Sequence, residues 1–499
     1  MTLKAVVIGS GFAGISAATR LADSGVRVIV LEKNSEPGGR ARMFEEKGFK
    51  YDMGPSWYWM PDVFDKYFAQ FGKKTSDYYH LHRLDPSYRV FFGNNDFVDL
   101  PAGSEAVGDL FEQWEPGSKA KLSAFLKEAA FKYKVGMDDM VHRPSLSFTE
   151  FLDKKVIANA PGLHMFRSFS AYVKKYFKHP KIVSLLEFPV LFLGAKPEHT
   201  PALYSIMNYA DIEGGTWYPM GGMHEIVRAM LDLAREKGVE FRCSSPVESI
   251  LTIGNRATGV VVNGQTIEAD IVISGADYHH TENQLTPPHQ RNYTEKYWDK
   301  RVLAPSSLLY YIGMKGKVEG LLHHNLFFDE SLADHAVEIY DHPEWPAKPL
   351  FYVCCPSKTD PSVAPAGDEN LFVLIPVSTE LEDTAEVREK YFQIVMDRLQ
   401  THLGRDLRND IVYRHDFARS NFIEEYHSFK GNAYGLANTL RQTAFLKPKM
   451  KNSKIKNLYY TGQLTTPGPG VPPSIISGLV AAKLALKENV LSTHTLTTV

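Results

Sequence analysis

Gly9, Gly11 and Gly14, with Glu32 18 residues beyond the last of them, are the residues of this sequence whose types and spacing most directly prescribe a chemistry. Together they can hold a dinucleotide. Gly9 permits a tight turn, Gly11 lets backbone approach a pyrophosphate, and Gly14 lets a helix pack closely on a strand. A helix starting there offers unpaired N–H groups to phosphate oxygens. Glu32 stands where a carboxylate would accept hydrogen bonds from ribose hydroxyls. The elements that must position these residues are legible around them. Ala5 to Ile8 is a short β-rich run, Ile15, Ala18 and Leu21/Ala22 recur at helical spacing, and Gly25 ends the helix. Val26 to Leu31 then reads as a second buried strand, completing a βαβ unit.

Two later stretches have the same character. Gly221, Gly222 and Met223 lead into a helix with Ile226, Met230, Leu233 and Ala234 on one face, closed by Gly238. Val239 to Cys243 follows as a strand. Ala257 to Val262 is expected to pair with Thr266 to Ile273 across Asn263-Gly264, a type I′ hairpin signal. Near the C-terminus, Asn457 to Tyr460 reads as a strand that runs into Gly462, a Gly/Pro loop through Gly470, Val471, Pro472 and Pro473, and a small-residue helix from Ser474 to Leu486. Such a helix start presents backbone N–H groups and a positive dipole end to an electron-rich ring edge.

Composition bounds the rest. At 499 residues the chain is long enough for about three units of ~150 residues, or for two interwoven α/β domains. Lys plus Arg total 56 and Asp plus Glu 58, a net charge of −2, so no global field draws the protein to nucleic acid. The three cysteines, Cys243, Cys354 and Cys355, two of them adjacent, are read as excluding a disulfide framework and any Cys-based structural zinc site, and suggest a reducing compartment. The chain has 29 Phe, 25 Tyr and 6 Trp, yet no apolar run long enough to span a bilayer and no signal-peptide pattern. His279-His280 and His323-His324 lack metal-ligand spacing to carboxylates and read as loop histidines, and Cys354-Cys355 reads as strand interior. No metal site is expected.

Pro37-Gly38-Gly39-Arg40-Ala41-Arg42 resembles the extension that follows the acidic residue in flavoprotein oxidoreductases of the glutathione reductase and amine oxidase type. The resemblance implies FAD, with Arg40 near the pyrophosphate, where a guanidinium can donate paired hydrogen bonds. The fold class expected is α/β: a Rossmann-like FAD domain assembled from residues 1–70, 211–290 and 440–499. It is interwoven with an α+β substrate-binding and membrane-contacting domain from 71–210 and 291–439.

Gly48 to Ser56, Thr359 to Gly367, Leu371 to Val377 and Asn457 to Pro472 together resemble the bacterial carotenoid desaturases. Gly54-Pro55-Ser56-Trp57-Tyr58-Trp59-Met60-Pro61 and Leu186 to Pro197 resemble the phytoene desaturases more than the end-group desaturases. The resemblance covers about Leu3 to Glu488. Two departures stand out: Pro469 and Pro473 occupy positions where many members carry small residues, and Gln463 replaces the acidic residue common in amine oxidases.

What the resemblance implies is FAD-dependent desaturation of a C40 carotene, phytoene converted stepwise to lycopene, by hydride transfer to flavin N5 with loss of a proton. The 3,4-desaturation of an end group and diapophytoene desaturation are the alternatives within the family. A flavin amine oxidase and a non-enzymatic prenyl-lipid escort protein are the alternatives outside it. The implied cofactor contacts are Gly9, Gly11, Gly14, Glu32, Lys33, Gly39, Arg40, Gly54, Pro55, Ser56, Val247, Gly462, Gly470 and Val471. A carotene has no polar group and can be held only by apolar burial, at roughly 25 cal/mol per Å². Trp57, Tyr58, Trp59, Met60, Phe188 and Phe192 are the candidate tunnel lining. No catalytic side chain is identifiable, since the polyene itself stabilises a developing allylic cation. The electron acceptor would be a quinone or oxygen. Because the substrate resides in a bilayer, the protein is expected in the cytoplasm, peripheral on the inner face of the membrane. Tyr172, Lys174, Lys175, Tyr176, Phe177, Lys178 and Lys181 form the candidate contact.

Overall fold

The computed structural model describes residues 2–151, 162–165, 167–191, 194–439 and 441–495. Phe192 lies outside them.

Five parallel strands form one sheet, in the spatial order Leu458–Tyr460, Ile271–Ser274, Lys4–Ile8, Arg27–Leu31, Glu240–Arg242. Four of the five residues of Lys4–Ile8 and all four of Ile271–Ser274 are buried. That is the pattern of a parallel sheet covered on both faces. The helix Phe12–Asp23 follows the first strand directly, and the final helix, Val471–Thr495, packs against it. Their approach depends on small residues: a Cβ on Gly478 would lie 2.2 Å from the Ala13 carbonyl oxygen.

The Asn263-Gly264 turn forms with φ of 50° and 71°, both left-handed as type I′ requires. The strand after it is shorter than the sequence suggested. Thr266 to Ile273 is two strands, Gln265–Glu268 in a three-stranded antiparallel meander and Ile271–Ser274 in the parallel sheet. The break falls at Asp270, whose carboxylate accepts the Lys4 backbone N–H at 2.8 Å and pins the second half beside the first strand. The helix read as Ser474 to Leu486 also runs longer, over Val471–Thr495.

A second sheet has seven strands in the order Ile411–Phe417, Ser306–Met314, Glu369–Val377, Phe351–Cys354, His324–Phe327, Tyr88–Gly93, Asp96–Leu100. Every residue of Ser306–Met314 is buried, and the period of two assigns its side chains to two different environments. Leu308, Tyr310 and Ile312 join Tyr391, Val395, Met396 and Leu399 of the helix Ala385–Leu403 in one core. Leu309 and Tyr311 join the larger core that also holds the βαβ unit. Leu309, Leu326, Phe328, Tyr352, Phe372 and Leu374, all presented to the same side, line a cavity between the two sheets.

The candidate membrane contact divides differently from its expectation. Tyr172 and Phe177 are fully buried in the core, and the Tyr172 hydroxyl donates to Glu128. Lys174, Lys175 and Lys178 are exposed, while Lys181 pairs with Asp96 at 2.5 Å. The aromatic half of the motif is spent on packing.

Candidate functional site

The cavity has a volume of about 590 Å³ and runs from the glycine turn to a cluster of aromatic rings. Gly9, Gly11, Glu32, Lys33, Gly39, Arg40, Gly54, Pro55, Ser56, Val247, Gly462, Gly470 and Val471 all line it, and so do Trp57, Trp59, Met60 and Phe188. Two expected residues do not. Gly14 lies behind the wall, where a Cβ would sit 2.0 Å from the Gly9 carbonyl oxygen. Tyr58 is turned into the core: its ring stacks on Phe64 at 4.3 Å and its hydroxyl bonds that of Tyr79 at 2.8 Å.

The glycine end is made largely of backbone. A Cβ built on Gly11 meets no protein atom within 4 Å, so that position opens into space, whereas Gly14 is filled by its own fold. Gly39 brings a second loop so close that a Cβ on it would lie 3.2 Å from the Gly11 Cα. Gly54 approaches the Arg40 carbonyl so closely that a Cβ would lie 2.5 Å from its oxygen. Glu32 is buried, and its Oε2 accepts from Ser10 N at 2.9 Å and Ser10 Oγ at 2.7 Å while Oε1 accepts from Asn34 N at 3.0 Å. These donors fix the carboxylate at the mouth of the turn and leave one of its roughly four acceptor sites for a hydroxyl.

Arg40 is the second polar feature. Its Nη2 donates to Ser428 Oγ at 3.0 Å, but its Nε is buried without a partner. Burial lowers its affinity for the proton, and Asp277 and Tyr426 offset this. Asp277 was not singled out from sequence, although Gly275-Ala276-Asp277 directly follows a buried strand and Asp277 Oδ1 accepts from His280 N. His280 lines the cavity with its ring stacked on His427 at 4.1 Å. Burial, then the neighbouring His427, pushes it down to about 4, so it is neutral at pH 7.

The C-terminal loop is more occupied than its sequence implied. The Gly462 N–H donates to Ser477 Oγ at 3.0 Å, and Ser474 N donates to Gly470 O at 3.0 Å. Pro472 and Pro473 carry no N–H, which leaves Val471 the donor of the first helical turn.

The opposite end is built from rings. Trp57 stacks flat on His324, with centroids 4.0 Å apart and planes 9° apart, and lies 5.2 Å from Trp59 and 5.9 Å from Phe188. Phe188 in turn is 6.0 Å from Phe328. Trp59 is held from behind: its Nε1 donates to Thr216 Oγ1 at 2.8 Å, and Thr216 Oγ1 and the Tyr88 hydroxyl donate to Asp211 at 3.1 and 2.8 Å. Burial pushes Asp211 up to about 7 against these bonds. His335 is committed on both nitrogens, Nδ1 accepting from Leu350 N and Nε2 facing the Pro376 carbonyl oxygen at 2.9 Å.

Among the described residues, the charged side chains that line the cavity are Glu32, Lys33, Arg40, Asp277 and Glu425. All belong to the glycine end: Asn34 Nδ2 donates to Glu425 O, Lys33 Nζ to Glu424 O, and Asp277 acts on Arg40. The aromatic end has none.

His324 is not a loop histidine, since it opens the strand His324–Phe327, whereas His323 lies in the bend just before it; both are buried. Cys354 ends its strand and Cys355 begins the following turn.

A parallel sheet with a glycine turn, an anchored carboxylate, a guanidinium whose buried Nε has no partner and an open Gly11 defines a dinucleotide-binding site. The residues fit FAD: the pyrophosphate would lie over Gly11 near Arg40 and the ribose against Glu32. Residues 12–486 match the family described as flavin containing amine oxidoreductase. The chain is 42% identical over 483 residues to a carotenoid 3,4-desaturase of Haloarcula japonica, with 97% of this chain and 98% of the relative covered. It is 33% identical over 489 residues to a zeta-carotene-forming phytoene desaturase of Myxococcus xanthus, covering 96% and 93%. An oxidoreductase structure from Methanosarcina mazei superposes with a TM-score of 0.65 at 16% identity, over 96% of this chain and 100% of that one, which shows the shared fold. The chain belongs to the flavin-containing amine oxidoreductase family and, within it, to the FAD-dependent carotenoid desaturases.

Proposed function

We propose that the protein desaturates an acyclic C40 carotene, with phytoene as substrate and lycopene as end product. The observation that supports this is the segregation of charge along the cavity: every charged lining residue lies at the nucleotide end, and the chamber beyond is walled by Trp57, Trp59, Phe188, Phe328 and Phe372. A hydrocarbon gains there by burial alone, whereas an amine would bring a cation into a chamber with no carboxylate to pair with it.

Bound FAD supplies the hydride acceptor, through N5. The residues of the chain bind, orient and exclude water. Glu32, Arg40 and the glycine backbone hold the nucleotide half. The Asp211–Thr216–Trp59 chain keeps one wall rigid, so a flexible polyene meets a fixed surface. His335, bonded on both nitrogens, is held in place as part of the wall and is not placed to take the substrate's proton. Since the substrate lives in lipid, we place the enzyme at a membrane surface, with the exposed Lys174 and Lys175 as its cationic contact and a quinone or oxygen as electron acceptor. No described helix is long and apolar enough to cross a membrane.

The 42% identity to a 3,4-desaturase favours a second reading, in which the substrate is an already conjugated carotene and the new double bond forms at its end. Purified flavin-loaded protein would be given phytoene in liposomes in one arm and lycopene in the other, with a quinone. Coloured polyenes from phytoene support the first reading. Turnover of lycopene alone moves the assignment to the second, and no turnover of either by the flavin-loaded protein sinks both.

A further inference from the structure

Behind the aromatic end of the cavity, three donor side chains converge that the reaction does not use. The strand His324–Phe327 pairs antiparallel with Phe351–Cys354 so that His324 stands directly opposite Cys354. Facing residues of a ladder share one side of the sheet. His323, one residue before the strand, turns its ring to within 4.5 Å of the His324 ring. One ring nitrogen of each histidine and the Cys354 sulfur all lie within 4.8 Å of one another. The three residues are 5%, 0% and 2% exposed.

The hydrogen bonds around this cluster are one-sided. His323 Nδ1 is 2.7 Å from Thr359 Oγ1, and His324 Nδ1 is 2.7 Å from the Tyr352 hydroxyl. Both Nε2 atoms are buried with no partner. When Nδ1 carries the proton to an outer hydroxyl, Nε2 presents a lone pair, which is how outer partners orient metal-bound imidazoles. Two imidazoles and a thiolate are the donors of a thiophilic d10 ion such as zinc, with a water able to close the fourth position. The buried carboxylate of Asp360 acts electrostatically on His323 and would offset part of the added charge.

We propose that His323, His324 and Cys354 form a buried zinc site at the seven-stranded sheet. Its effect reaches the cavity through the flat stack of His324 on Trp57 and through the bond of His324 Nδ1 to the cavity-lining Tyr352. An ion that fixes the imidazole fixes the indole that walls the chamber. The proposal stands on the side-chain geometry and holds whichever carotene is the substrate.

Because the site is closed, zinc should be supplied during expression of the full chain. After dialysis against a weak chelator, the holoenzyme is expected to retain one zinc per flavin by elemental analysis. Its zinc K-edge absorption should show one sulfur at about 2.3 Å and nitrogen or oxygen ligands at about 2.0 Å. Zinc below one-tenth per chain, or zinc with only nitrogen and oxygen ligands, overturns the proposal. Cys354→Ser should lower retained zinc at least tenfold with flavin content kept, and Cys243→Ser should leave it unchanged; the reverse pattern also overturns it. If Cys354→Ser yields no folded protein, the metal content and edge spectrum of the unsubstituted enzyme decide.

Discussion

The two ends of the cavity are built by opposite means. At the nucleotide end the wall is backbone, and glycines act by what they leave out: Gly11 opens into space, and Gly39 and Gly54 let loops close on one another. At the aromatic end the wall is side chain, and rings from Trp57, Trp59, Phe188 and Phe328 fill space from three separate stretches of chain. A polar, charged ligand needs fixed donors in one geometry. A hydrocarbon needs only complementary shape and dryness. The first end should therefore be intolerant of added atoms and the second sensitive to lost ones.

The comparison can be broken most severely at Gly14. A Cβ there would lie 2.0 Å from the Gly9 carbonyl oxygen, so Gly14→Val should yield no soluble folded protein, read as soluble yield and circular dichroism. Gly11→Val, three residues earlier, sharpens the same point. A Cβ there meets no protein atom within 4 Å, so the chain should fold while flavin per chain falls more than tenfold by absorbance. Normal flavin content in that variant would remove the nucleotide reading of this end.

At the other end, Phe188→Ala removes a buried ring and should cost about 3–5 kcal/mol in denaturant unfolding while flavin content stays near that of the parent. Flavin lost in proportion would mean that the two ends are not independent.

The smallest effect concerns Lys447, whose amine is buried without a partner and pushed down to about 7 by burial. Its folded pKa lies below the unfolded value of about 10.4, so between these limits the unfolded chain binds the extra proton and stability rises with pH. Lys447→Met should stabilise the protein by about 2 kcal/mol at pH 9, more toward pH 7, and not at all above about 10.4. A gain independent of pH would show that the amine is not neutral in the fold.

Much of the nucleotide end was legible from residue order. The βαβ unit, Glu32, the Asn263-Gly264 turn and the Gly462 to Val471 loop all lie where their spacing placed them. The split of Thr266 to Ile273 was not legible, because the bond that breaks it comes from Lys4, 266 residues away. Tyr58 shows the limit within a single motif. It sits between two cavity-lining tryptophans, yet its ring is taken by Phe64 and Tyr79. The histidine pair read as loop because Cys354, its partner across the ladder, is 30 residues further on, and a spacing rule cannot see strand register.

By itself, then, the sequence determined the cofactor half of this flavoprotein, since glycine sterics, helix periodicity and turn chemistry act between near neighbours. Tertiary structure alone decided which aromatic faces the cavity, that Arg40 is held by Ser428 beside Asp277, and that two histidines meet a cysteine. Those choices depend on ladder register and on side chains converging from distant segments, and no local pattern in the chain records them.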